Sequence, residues 1–167
     1  MFRRTITVIK RSIILDITHK SGKEIMKRII EKAGVFISNF RPYELKKFDI
    51  EYEALSRINT RLIYTQISTY GIDGPDKNKP GYDSSSFRPR SGIFKTMRAG
   101  GEPLWCTNGV GGNPVSITFT FGIAMALLIR GRTRVGQKVT GSLLQTGVHL
   151  NSNTIAGRIF VNSIGIT

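Results

Sequence analysis

The order of elements near the start of the chain constrains its fold most. Residues 12–17 are rich in isoleucine and predict a strand. Ser21, with Glu24 three residues later, forms a capping-box pattern that predicts a helix start. Apolar residues then share one helix face, namely Ile25, Met26, Ile29, Ile30 and Ala33. Gly34 suits the end of that helix, and residues 35–38 predict a short buried strand. Strand, helix and strand in this order favour a parallel α/β unit.

Three further elements extend this pattern. Residues 51–58 predict a second helix that ends at Asn59, and residues 61–68 predict another buried strand because they are apolar and β-branched. Residues 70–83 are dense in Gly, Pro, Asp and Asn, which is typical of a loop.

The second half of the chain is less clear. Residues 84–97 favour a helix, but Pro89 in their middle would kink or break it. We expect a loop over residues 99–112. Residues 115–129 begin with strand-like alternation and end with a helical pattern, so periodicity leaves both open. Residues 137–144 predict a final strand.

Composition limits the class of protein. Of the 167 residues, 40% are apolar and 22% are charged, as expected for a globular domain without a signal peptide or a membrane span. The one cysteine, Cys106, rules out an internal disulfide and predicts a structural role in a reducing compartment. No metal-ligand spacing occurs, and His19 and His149 suggest no catalytic triad.

The net charge of +14 predicts an anionic partner or a basic solvated surface. The cations are scattered along the chain, and nothing beyond charge favours nucleic acid, which makes that partner unlikely. The turn Asn39-Phe40-Arg41-Pro42 follows a predicted strand, where ligands bind in open α/β sheets, so Arg41 is a candidate phosphate ligand or part of an ordinary polar turn. The glycine-rich stretch 109–113 is either an anion-binding turn or a flexible connector.

Several motifs occur in the order and at the separations of one enzyme family. They are Asn39-Phe40-Arg41-Pro42, Tyr52-Glu53-Ala54-Leu55, Asn59-Thr60-Arg61-Leu62-Ile63-Tyr64, Gly74-Pro75, Pro80-Gly81-Tyr82-Asp83 and Arg130-Gly131-Arg132-Thr133. Across residues 9–150 the chain resembles the class III CoA-transferases, the group of L-carnitine dehydratase and bile-acid-inducible proteins (CaiB/BaiF), similar to formyl-CoA transferases.

This resemblance implies the parallel-sheet portion of a dinucleotide-fold-like large domain. We expect residues 1–167 to be a single partial domain that lacks the family's N-terminal segment and small domain. The implied reaction transfers CoA between carboxylic acids, with coenzyme A or acyl-CoA as substrate and without a metal. The implied assembly is an interlocked homodimer in the cytoplasm or an organelle matrix, with no membrane partner. A CoA-binding module without catalysis and a racemase-like relative are the alternatives.

The resemblance also assigns site residues. The CoA-contacting positions would be Leu15, Asp16, Ile17, Thr18, Asn39, Phe40, Arg41, Lys47, Pro80, Gly81, Tyr82 and Asp83. Gly112 stands where the family carries its nucleophilic aspartate, which predicts a chain with little or no transferase activity. Arg134 replaces a family glycine at a helix end, which predicts local backbone strain.

Overall fold

The structure is a computed structural model that describes residues 10–96, 98–99, 102–103 and 109–163. Cys106 lies outside these ranges. The elements in chain order are α1 (Lys20–Lys32), β1 (Val35–Ser38), α2 (Pro42–Phe48), α3 (Tyr52–Ile58), β2 (Ile63–Ser68), a π-helical turn (Asp83–Phe87), α4 (Arg88–Arg90), α5 (Ile93–Thr96), β3 (Arg98–Ala99), β4 (Glu102–Pro103), α6 (Gly112–Thr133), β5 (Lys138–Ser142), α7 (Leu143–Leu150) and α8 (Ser152–Ser163).

Three strands form a parallel sheet in the order β1-β2-β5. Val35 pairs with Ile63, and Tyr64 pairs with Lys138, which places β2 in the centre. Helices cover both faces, as parallel sheets require. The predicted α/β class is therefore confirmed.

The first core lies on the sheet face that Tyr64 occupies. Tyr64 is fully buried, and its ring lies 5.2 Å from that of Phe36 and 5.7 Å from that of Tyr52. The Tyr64 hydroxyl donates a 3.0 Å hydrogen bond to the Ile50 carbonyl, which satisfies its polar atom. Helices α1, α2 and α3 complete this core with Ile30, Leu45 and Leu55.

The second core lies on the opposite face and is centred on α6. Val115 and Phe119 of α6 are buried with Phe87 of the π-helical turn. Ile67 of β2 and Val139 of β5 pack against this cluster from the sheet. Because successive strand residues point to opposite faces, β2 contributes to both cores.

Two polar side chains connect the elements at the amino ends of the strands. The Arg130 guanidinium on α6 donates from Nη1 to the carbonyls of Gly34 at 2.8 Å and Arg61 at 3.0 Å. The Asn59 amide donates to the carbonyls of Ile30 at 3.0 Å and Ala33 at 2.9 Å. These bonds satisfy carbonyl groups at the end of α1 and just before β1 and β2, and they hold α1, α3 and α6 to the sheet.

Helix α6 resolves the ambiguity over residues 115–129 in favour of a helix. It has 22 residues, and its most apolar window of 18 residues has a mean hydropathy of 1.6. By length and composition alone this helix could therefore cross a membrane, which we did not expect from the sequence. Only 17% of that apolar window is buried. One side packs on β2 and β5, while Ile117, Phe121 and Leu128 on the other side are 72%, 68% and 55% exposed.

The predicted strand at residues 12–17 is wrong. This segment is irregular, and Ile13 and Ile14 are 66% and 99% exposed. The predicted cap at Ser21 is also wrong, because α1 begins at Lys20 with His19 as its N-cap and no side-chain capping bond. Gly22 in the first turn lies so close to the Asp16 carbonyl that a Cβ would collide with it, so this contact sets the helix start.

Other predicted elements change in extent. Strands 35–38 and 61–68 and helix 51–58 are confirmed within two residues. Strand 137–144 is shorter, since α7 begins at Leu143. Residues 84–97 form short turns interrupted around Pro89, as its ring predicts. Helices α2, α7 and α8 were not predicted.

Arg134 ends α6 in the left-handed conformation, with φ at 64°. Its amide donates to the Arg130 carbonyl at 2.9 Å, as in a helix-terminating turn. A side chain is disfavoured there, which confirms the predicted strain.

Gly136 and Gly131 provide a matched test of backbone packing. A Cβ on Gly136 would collide with the Leu62 carbonyl oxygen, whereas a Cβ on Gly131 meets nothing within 4 Å. We expect Gly136→Ala to lower the free energy of unfolding by about 1–3 kcal/mol. Gly131→Ala should raise it by about 0.5–1 kcal/mol, because alanine favours a helix interior. Urea unfolding followed by circular dichroism measures both, and similar values for the two variants would contradict this packing.

Candidate functional site

A cleft of about 470 Å³ opens at the carboxyl ends of β1 and β2, where α6 begins. The turn after β1, the loop after β2 and the amino end of α6 all contribute to its wall. The charged or polar lining residues include Asn39, Arg41, Ser68, Thr69, Lys77, Lys79, Asp83 and Ser116. Phe40, Ile67, Val115 and Leu143 add apolar surface. Ligands bind at this edge in open α/β sheets.

The turn after β1 presents Arg41 to the cleft. The Phe40 amide donates to Ser38 Oγ at 3.1 Å, and the Arg41 amide donates to Glu44 Oε2 at 2.9 Å. The Arg41 guanidinium also donates to both Glu44 carboxylate oxygens, at 3.1 and 3.0 Å. These hydrogen bonds lower the pKa of Glu44 and raise that of Arg41. Three of the five guanidinium N–H donors stay available, so Arg41 is oriented and still able to bind an anion.

The loop after β2 brings two lysines to the cleft. Lys79 forms a 2.7 Å ion pair with Asp76, whose carboxylate also accepts from Arg90 at 2.9 Å. The hydrogen bonds from Lys79 and then Arg90 lower the pKa of Asp76. Within the described ranges, Lys77 has no carboxylate partner. The cleft therefore contains more positive than negative charge.

Asp83 fixes the approach to α6. Its Oδ2 accepts a 2.9 Å hydrogen bond from the Gly111 amide, and its Oδ1 lies 3.5 Å from the buried Arg88 Nε. A Cβ on Gly111 would lie 2.6 Å from both Asp83 Oδ1 and Phe87 Cγ. Glycine at position 111 therefore permits the close packing of the two segments.

Gly112 occupies the first turn of α6 and lines the cleft. A Cβ placed on it would meet nothing within 4 Å, and its φ is not positive. The first turn of α6 contains no acidic residue. The positive end of the helix dipole faces the cleft, and the carboxylate beside it is that of Asp83, which accepts from the Gly111 amide.

The cleft brings together about half of the sequence-predicted site residues. Asn39, Phe40, Arg41, Gly81, Tyr82 and Asp83 line it together with Gly112, and Pro80 precedes Gly81 in the same loop. The sequence did not predict Ser68, Thr69 and Ser116 as lining residues. Lys77 and Lys79 belong to the scattered cations to which it assigned no site.

The other predicted positions do not line this cleft. The Asp16 carboxylate accepts hydrogen bonds from the Thr18 amide at 2.9 Å and the Thr18 hydroxyl at 2.6 Å, which lower its pKa. Ile17 packs against the first core, and Leu15 precedes this turn. Lys47 is exposed, with its ammonium 5.8 Å from the Phe48 ring.

The histidines lie away from the cleft. His19 Nε2 is 3.6 Å from Asp16 on an exposed turn, and His149 lies on an exposed part of α7. Within the residues that the structure describes, no three His, Cys, Asp or Glu side chains converge on a point where a metal could bind.

A sequence profile of CoA-transferase family III matches residues 4–164. This chain belongs to CoA-transferase family III. It is 32% identical over 141 residues to cinnamoyl-CoA:phenyllactate CoA-transferase of Clostridium sporogenes, covering 84% of this chain and 34% of the relative. It is 37% identical over 139 residues to acetyl-CoA:oxalate CoA-transferase of Acetobacter aceti, covering 80% and 35%. The chain thus spans about a third of the length of these family III relatives.

Solved structures agree with the family III assignment. Rv3272 of M. tuberculosis matches with a TM-score of 0.84 at 26% identity, covering 90% of this chain and 42% of that one. A CAIB/BAIF family protein from Brucella suis matches with a TM-score of 0.80 at 29% identity, covering 92% and 40%. The matches confirm the predicted family and its α/β fold.

Gly112 and Gly111 test the construction of the cleft. We expect Gly112→Asp to fold and to raise the free energy of unfolding by about 0.3–1 kcal/mol, because a carboxylate at a helix amino end is favourable and nothing obstructs it. Gly111→Ala should lower the free energy of unfolding, because its Cβ would displace Asp83 or Phe87. Thermal unfolding of both variants checks this, and destabilisation by Gly112→Asp would contradict the open space at that position.

Proposed function

We propose that this chain is an acyl-CoA-binding portion of a class III CoA-transferase, the enzyme class that moves CoA between carboxylic acids. We further propose that the chain itself forms no covalent acyl intermediate. The single observation behind both parts is the cationic cleft that Gly112 lines. The family and the names of the relatives support CoA and carboxylic acids as the substrate classes.

The charges of the cleft support CoA binding. CoA carries several phosphate charges, and Arg41, Lys77 and Lys79 are cations that converge on one opening. The amino end of α6 adds backbone dipoles of the same sign. Phe40, Ile67 and Leu143 offer apolar surface beside these charges, which suits a ligand with both phosphate and acyl parts.

The absence of a side chain at Gly112 supports the hypothesis that this chain has no transferase activity. Covalent CoA transfer needs a carboxylate that attacks the thioester carbonyl, forms a mixed anhydride and releases the CoA thiolate. Glycine has no group that can do this. Asp83, the cleft's own carboxylate, already accepts from the Gly111 amide and lies beside Arg88, so it is committed to structure.

CoA binding is the first test of this proposal. We expect calorimetry to detect CoA binding to the full chain, and Arg41→Ala to weaken it by about tenfold, because hydrogen bonds to charged groups are among the stronger ones. Arg57→Ala is the charge-matched control, since Arg57 is exposed in the last turn of α3, near the amino ends of the strands. Equal losses for the two variants would show that net charge alone attracts CoA, and this would refute the cleft as the binding site.

Exchange of labelled CoA between an acyl-CoA and a carboxylic acid is the second test. We expect no turnover above a heat-inactivated control, because no carboxylate is available at position 112. Since the chain spans about a third of its relatives, we also expect Gly112→Asp alone to remain inactive. A trapped acyl adduct or measurable exchange by the unmodified chain would refute the hypothesis that the chain is inactive. It would leave the proposal of CoA binding unaffected.

A further inference from the structure

A second cavity lies on the other side of β2 from the CoA cleft, and the family reaction does not account for it. Its volume is about 360 Å³, within the range of small-molecule sites. It opens between β2, the helices α2 and α3, and the first residue of β5. Its lining is Pro42, Leu45, Lys46, Glu51, Tyr52, Glu53, Gln66, Ile72, Asp73 and Lys138.

Gln66 is the most informative group in this cavity. It is only 3% exposed, and its Nε2 has no hydrogen-bond partner. A buried polar group without a partner costs free energy comparable to a lost hydrogen bond, so an isolated amide at this position calls for an acceptor from outside the chain. Gln66 lies two residues after Tyr64 and faces the same side of the sheet, with the cavity in front of it.

Glu51 is a second unsatisfied group on the same wall. It occupies the N-cap position of α3 but makes no side-chain capping bond. Its Oε2 is instead buried and has no hydrogen-bond partner. The carboxylates of Glu51 and Glu53 also act on the Tyr64 hydroxyl, whose pKa is raised first by burial and then by these two charges.

The two unsatisfied groups are complementary in kind. Glu51 offers a hydrogen-bond acceptor with negative charge, and Gln66 offers a donor. Lys46 and Lys138 add positive charge to the lining, and the Lys138 ammonium lies 6.0 Å from the centre of the Tyr52 ring. Between these polar groups the wall consists of Pro42, Leu45 and Ile72, which suit a short aliphatic chain.

We propose that this cavity binds a small aliphatic amino acid, whose ammonium group pairs with Glu51 and whose carboxylate accepts from Gln66. A ligand with both groups satisfies both unpaired atoms, whereas an amine or a carboxylate alone satisfies one of them. The lining also contains Lys46 and Lys138, which can attract a carboxylate, and Glu53 and Asp73, which can attract an ammonium group. The site is separate from the CoA cleft because β2 lies between them.

Calorimetry on the full chain with three matched probes tests the proposal. L-valine carries both groups, isobutylamine carries the ammonium alone, and isovalerate carries the carboxylate alone on the same branched carbon skeleton. We expect L-valine to bind about tenfold more tightly than either of the others. Equal binding of isobutylamine would indicate a plain cation site, and no binding of L-valine at millimolar concentration would refute the proposal outright.

Variants then place the ligand in this cavity. We expect Gln66→Leu and Glu51→Gln each to weaken L-valine binding by about tenfold, because each removes one of the two complementary groups. Glu24→Gln on the exposed face of α1 removes one negative charge elsewhere and should leave it unchanged.

CoA binding separates this proposal from the preceding one. Both cavity variants should retain CoA binding, because Arg41, Lys77 and Lys79 line the first cleft and neither Glu51 nor Gln66 does. If Gln66→Leu fails to fold, Glu51→Gln still decides the outcome, since this change keeps the size of the side chain and Glu51 makes no capping bond that it could break. L-valine binding that is unaffected by Glu51→Gln and reduced by Arg41→Ala would assign L-valine to the CoA cleft and refute the proposal.

Discussion

The central strand β2 is the constraint on which the rest of the molecule depends. It pairs with β1 on one side and β5 on the other, and its residues Ile63, Tyr64 and Thr65 are fully buried. Tyr64 organises one core and Ile67 contributes to the other. The same alternation places Gln66 in the lining of one cavity and Ile67 in the lining of the cleft at the carboxyl ends of β1 and β2. A shift of one residue in the register would exchange both cores and both cavities.

Strands β1 and β2 could be predicted from sequence, because a short apolar run between turn residues is a strong signal. The same signal misled at residues 12–17, where Ile14 is almost fully exposed. Isoleucine-rich segments favour an extended backbone, but a strand also needs a neighbouring strand with which to pair. Helix α6 shows the opposite case, since its apolar residues surround the whole helix and leave no clear period until the sheet contact is known.

The site was predictable to the extent that topology brings residues together. Residues after β1 and β2 meet because the carboxyl ends of parallel strands share an edge, which is why Asn39, Arg41 and Tyr82 line one cleft. The contact of Asp83 with the Gly111 amide joins segments 28 residues apart in a loop-rich region, and no local pattern signals it. In the sequence, Gln66 resembles any other polar strand residue. Only the structure shows that it is buried and that its Nε2 has no hydrogen-bond partner.

Under the proposed function, the amino end of α6 has two tasks, anion binding and presentation of a nucleophile, and Gly112 separates them. The positive end of α6, with Arg41 and Lys77 nearby, attracts anionic groups whether or not a nucleophile is present. An attacking carboxylate at that point would itself neutralise part of this field. Under the proposed function, glycine at this position lacks both the reactive group and a negative charge that would compete with the phosphates of CoA. Under the proposed function, the same missing carboxylate would therefore account both for the lack of a covalent step and for the retention of an anionic ligand.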